Sequence, residues 1–199
     1  MSGFKFKHLK KAVLTAAVAV ATSGIAQAEA MLDYKIALAD DGKTYQVFMK
    51  PDVAPFADVN LTGQVTIKVP HLEGENAFKA TNISSNIDGI VWVETSRIDA
   101  PKEDSFYDYV SFSFLASDSS ALRKFNWQAG EEKAVFSFEN SKGCIEDVSL
   151  MANDDPFNVA NNSANTNPGN QFTNLGWGGV SENNYRTNYG DKIVCSVTK

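Results

Sequence analysis

Tyr107-Asp-Tyr-Val-Ser-Phe-Ser-Phe114 places Val110, Phe112 and Phe114 on one side of an extended chain and Tyr109, Ser111 and Ser113 on the other. Successive side chains in a strand point to opposite faces, so this run reads as a strand with one face in a core and one toward water. The same alternation recurs in both directions from it. Val65, Ile67 and Val69 alternate with Thr66 and Lys68, and Ala134 and Phe136 with Val135 and Ser137 up to Phe138. Ile193, Cys195 and Val197 repeat the pattern near the C-terminus, and shorter candidates cover 34–38, 45–49, 78–83, 90–94 and 145–150. Asp40-Asp41-Gly42-Lys43 supplies a hairpin turn, because Asp-Gly tolerates positive φ. Helical periodicity is scarce, and the one helical turn expected is 119–125, capped by Asp118 or Ser119. About nine short strands with aromatic cores predict an all-β, antiparallel β-sandwich, with a β-barrel as the alternative.

The first 28 residues stand apart from this pattern. Lys5, Lys7, Lys10 and Lys11 precede an apolar, small-residue run from Ala12 to Ile25, and Ala26-Gln27-Ala28 offers a cleavage site. That is the form of a signal peptide, with a second site after Ala30. An uncleaved anchor is the alternative, but the run falls short of the roughly 20 residues that span a bilayer. A single domain is then expected over 29–199, secreted to the extracellular space or cell surface, with the periplasm as a further possibility and no membrane insertion after cleavage. The whole chain of 199 residues has a formal net charge of −6; without the leader's four lysines the figure is −10. Nucleic acid and anionic lipid are poor partners for such a surface, since phosphate contacts need clustered cations. The two cysteines, Cys144 and Cys195, read as a disulfide in an exported chain.

Chemistry-bearing motifs are sparse. His71 is the one imidazole beyond the leader and reads as a surface histidine, and no nucleophile elbow, HExxH or phosphate loop occurs. Residues 153–191 are unusual in holding 11 Asn and 5 Gly among 39 residues, interleaved with aromatics. So long a connection is expected to be functional, and its aromatics argue for an ordered loop with a short strand near 172–175. Two sites are expected in it. Trp177, Tyr185 and Tyr189, with Asn183, Asn184 and Arg186, have the composition of a carbohydrate or partner platform, Gly176, Gly178 and Gly179 leaving Trp177 open. The competing reading is that these aromatics anchor the loop. Asp147, Asn153, Asp154, Asp155 and Asp191 are candidate ligands for calcium, which takes six to eight oxygens; turn chemistry is the competing reading.

The runs Leu61–Pro70, Tyr107–Phe112 and Gly130–Phe138, with the asparagine-rich stretch Asn162-Ser163 to Gly169-Asn170-Gln171, resemble the secreted, cohesin-like β-sandwich modules of bacterial surface proteins. The resemblance implies a jelly-roll or cohesin-like sandwich that binds or assembles: cohesins hold dockerin-bearing partners, and similarly folded modules bind carbohydrate. The long loop departs from a minimal cohesin, and no site residue is carried over. The expected function is a non-catalytic interaction or structural module, with a carbohydrate-binding module and a polysaccharide-active enzyme as alternatives. Its expected partners are an extracellular protein, a polysaccharide or further copies joined through edge strands, with 29–34 as a candidate arm.

Overall fold

The computed structural model describes residues 31–195, so the expected leader and Val197 lie outside the described residues. Ten strands follow in order: β1 (Leu32–Leu38), β2 (Thr44–Pro51), β3 (Asn60–Pro70), β4 (Ala80–Ser85), β5 (Ile90–Ile98), β6 (Tyr107–Ala116), β7 (Lys133–Asn140), β8 (Ser149–Leu150), β9 (Gln171–Asn174) and β10 (Tyr185–Asn188). Two short 3-10 turns, Gly74–Asn76 and Ala121–Arg123, complete the regular structure, the second inside the expected helical turn. Among the described residues no helix is long and apolar enough to cross a membrane.

The strands form two sheets. One has the order β10-β1-β2-β7-β4; in the other β5-β6-β3 is flanked beyond β3 by both β8 and β9. All pairings are antiparallel except that of β1 with β10. The β1–β2 hairpin turns where expected: Gly42 has φ +70° and Asp41 accepts the Thr44 N–H at 2.9 Å. The alternating residues of β5 and β6 meet those of β7 across the sandwich. Phe112 lies 5.4 Å from Phe136 and 5.1 Å from Phe138, centroid to centroid, and Trp92 stacks on Phe136 at 4.4 Å. Packed aromatic pairs contribute beyond their buried area, and here they interlock the two sheets.

Three expectations change. Tyr109 and Ser111, assigned to a solvated face, are buried, because the segment after β8 lies over the outer side of β3 and β6. Met151 and Phe157 pack there on Tyr109, and the Asn170 side chain accepts the Thr66 N–H at 2.8 Å while donating to the Met151 carbonyl at 2.9 Å. Ile193 and Cys195 are not in a strand; β10 pairs with Leu32–Tyr34 of β1, and beyond it Ile193 enters the core as a buried anchor. The candidate arm is not free either, since Leu32–Tyr34 pair with both β2 and β10. The expected disulfide joins Cys144 to Cys195, tying the segment after β7 to the end of the described chain.

Candidate functional site

The long loop spends its polar and aromatic groups on itself and on the sandwich it covers. Trp177 is 8% exposed; its indole N–H donates to the Val53 carbonyl at 2.9 Å and its ring lies 6.0 Å from that of Trp127. Gly176 serves close approach and does not open Trp177, since a Cβ there would meet the Ala57 carbonyl oxygen at 2.3 Å. Tyr185 is buried against Tyr34 at 4.7 Å and donates to Asn188 at 2.8 Å. Asn183 accepts the backbone N–H groups of Phe172 and Tyr185, both at 3.0 Å, and buried Asn184 accepts that of Asn174 at 2.7 Å. An asparagine side chain can satisfy irregular backbone much as a strand neighbour would. That use accounts for much of the asparagine content of the segment.

Of the six residues expected as a platform, Asn183, Arg186 and Tyr189 reach the surface, and all three are engaged. Arg186 forks onto Asp33 at 2.7 and 2.8 Å and also bridges to Asp52, pinning β10 to β1 and the end of β2. Tyr189 donates to Glu132 at 2.6 Å beneath Lys50, whose ammonium lies 4.5 Å from the ring centroid. Burial and that carboxylate raise the Tyr189 hydroxyl pKa. The structure thus uses these six as loop anchors and ties, and no open aromatic face forms from them.

The expected calcium ligands are likewise dispersed. Buried Asp155 bonds Lys68 at 2.9 Å and Tyr109 at 2.7 Å. Asp147 pairs with Lys192 at 3.1 Å, and the Asn153 amide donates to the Arg186 carbonyl at 2.7 Å. Asp154 and Asp191 are exposed. Among the described residues no three Asp, Glu, His or Cys side chains converge as a metal centre.

A sizeable concavity lies elsewhere. A cleft of about 570 Å³ opens where the edge strands β4 and β5 approach, lined among others by His71, Leu72, Glu73, Glu94, Arg97 and Asp108. His71 follows the last residue of β3, and Asp108 stands opposite Val69 on β6, so the strand register brings the two together. His71 Nδ1 lies 2.6 Å from Asp108 Oδ1, and Asp108, 2% exposed, also accepts the Ala100 N–H at 3.0 Å. Ala100 has φ +41°, an unfavourable conformation for a residue with a Cβ, and it delivers that N–H to the carboxylate. Arg97 is equally fixed: it bonds both Glu94 oxygens at 2.9 and 3.0 Å and the Phe78 carbonyl at 3.0 Å. An imidazole and a guanidinium thus face one cleft with their orientations set by neighbours.

The hydrogen bond to Asp108, then its charge, raise the His71 pKa above 6.5, with smaller contributions from Asp99 and Glu73. The imidazolium is therefore bound more tightly in the folded than the unfolded chain. Its stabilisation is complete below about pH 6.5 and is lost as pH rises through the higher folded-state value. Urea midpoints measured from pH 5 to 9 should show this loss in the parent protein and not in His71→Gln. Parallel curves for the two proteins would show that the pair carries no charge linkage.

Sequence reading passed over His71 because a lone histidine after Pro70 has no visible partner. The available signal was the register of 65–69 against 107–114, which sets Asp108 opposite Val69, two residues before His71 and on the same face. Fold and cleft together define a two-sheet β-sandwich with a preformed, mixed-charge recess at the β4–β5 side. No family model, curated protein or solved structure matches the chain.

Proposed function

We propose that this protein is an exported, non-catalytic interaction module of the cell surface or extracellular space, and that its binding face is the His71–Arg97 cleft. The observation that carries this reading is the pre-orientation of the cleft's polar groups: Asp108 holds His71, and Glu94 holds Arg97. Binding groups fixed before the ligand arrives lose less entropy on association. Export rests on the leader and on the disulfide, which persists in oxidising compartments. The ligand class proposed is a saccharide segment. Its hydroxyls both donate and accept, so they can satisfy the cations His71 and Arg97 and the carboxylates Glu73 and Glu94 together. Leu72, 38% exposed, offers an apolar wall for a ring face.

A glycan array on the mature protein, followed by calorimetry on the best hit with and without calcium, tests the proposal. His71→Ala and Glu73→Gln should each weaken binding by about tenfold, the usual scale for one charge-assisted hydrogen bond. Tyr189→Phe, in the long loop, should leave the affinity unchanged. Absence of any glycan hit, or a hit weakened by the loop variant alone, would remove the cleft from consideration.

A further inference from the structure

Lys68, near the end of β3, carries its ammonium into a recess behind the second sheet, where two carboxylates meet it. Its Nζ lies 2.9 Å from Asp155 Oδ2 and also bonds Asp104 Oδ2. The side chains of Lys68, Asp104 and Asp155 are 17%, 13% and 4% exposed. Aromatic rings wall the recess: Nζ stands 4.3 Å from the Tyr107 centroid and 5.6 Å from that of Tyr109, on which Phe157 packs at 4.7 Å. Asp155 is asymmetrically held. Its Oδ1 accepts from the Tyr109 hydroxyl at 2.7 Å and from the Phe157 N–H at 2.9 Å, while its Oδ2 faces the amine.

An ion pair in such surroundings loses much of its hydration, so its net stabilisation is small. The same three groups are arranged for a condensation. We propose that Lys68 and Asp155 form an intramolecular amide, with Asp104 carrying the protons. The ammonium first passes one proton through Asp104 to Asp155 Oδ2, leaving a neutral amine beside a neutral carboxyl. The nitrogen lone pair then forms a bond to Asp155 Cγ, and the charge that develops on Oδ1 falls between the Tyr109 and Phe157 donors. Paired donors aimed at a developing oxyanion are a strong source of catalysis in a dry site. Asp104 takes a second proton from nitrogen and returns it to Oδ2, the Cγ–Oδ2 bond breaks, and water leaves. One hydrogen stays on the amide nitrogen, Asp104 ends as it began, and no oxidant or cofactor is consumed. A neighbouring cavity of about 190 Å³, lined by Lys68, Tyr107 and Asp155, gives the water an exit.

The bond would staple the loop that covers β3 and β6 to the strand beneath it. It would span 87 residues of sequence and interlock with the disulfide, because Cys144 lies inside that span. The test is the intact mass of the mature protein after full reduction and denaturation. The expected mass is one water below that of the sequence, with a branched tryptic peptide joining the Lys68 and Asp155 segments. Lys68→Arg and Asp104→Asn should each restore the full mass, the second while keeping the parent's circular dichroism. Full mass in the parent, with the two peptides recovered separately, would overturn the proposal whether or not either variant folds. A deficit that persists in Asp104→Asn would overturn the proton-carrying role.

Discussion

Trp177→Ala should destabilise the protein by about 3–5 kcal/mol, the usual cost of truncating a buried tryptophan. The ring is 8% exposed and joins a cluster with Trp127 at 6.0 Å and Phe172 at 6.4 Å, so its removal opens a cavity between loop and sandwich. The Val53 carbonyl also loses its indole donor. At about 3 °C per kcal/mol for a chain of this size, Tm should fall by roughly 10 °C. Thermal unfolding with near-ultraviolet dichroism is the measurement. An unchanged Tm accompanied by lost glycan binding would instead return Trp177 to the role of ligand platform.

Breaking the Cys144–Cys195 bond should cost about 4 kcal/mol on the chain-entropy model for a loop of this length. The sequence separation is 51, and the bond fixes the segment after β10, which holds Ile193 in the core without a strand of its own. With a urea m-value of about 2 kcal/mol/M, the midpoint should drop by about 2 M in the double variant Cys144→Ser, Cys195→Ser. A drop of a few tenths of a molar would mean that Ile193 and the neighbouring packing hold the end of the chain unaided.

The alternation in 65–69, 107–114 and 134–138 was enough to read three central strands, because each buries a regular apolar face and period two survives in such places. β10 was hidden for the opposite reason. Tyr185-Arg-Thr-Asn188 has a single apolar side chain facing the core, and it is a strand because β1 lies parallel to it and Asp33 takes the Arg186 fork. Ile193 and Cys195 showed the converse: an alternating sequence that forms no strand, although it runs near Lys35–Leu38 of β1, beyond the residues that β10 pairs. The double burial of β6 was invisible too. Ser111 and Thr66 look solvated until Asn170 and Met151, far along the chain, are laid over them. The disulfide was legible because the chain holds two cysteines, which leave one pairing. His71 was not legible as a site residue, since its partner Asp108 lies 37 residues away and meets it through the β3–β6 register.

By itself the sequence determined the class of fold and the covalent link, which follow from local periodicity and residue counts. Tertiary structure decided the use of each polar group. It turned the asparagine-rich segment from an open platform into a self-bonded cover, and it assembled the His71–Arg97 cleft and the Lys68 recess from strands and loops far apart in the chain. The physical reason is the same in each case. Periodicity reports which side of a strand loses water, whereas hydrogen-bond partners and charges are set by which strands lie side by side, and no local pattern encodes that.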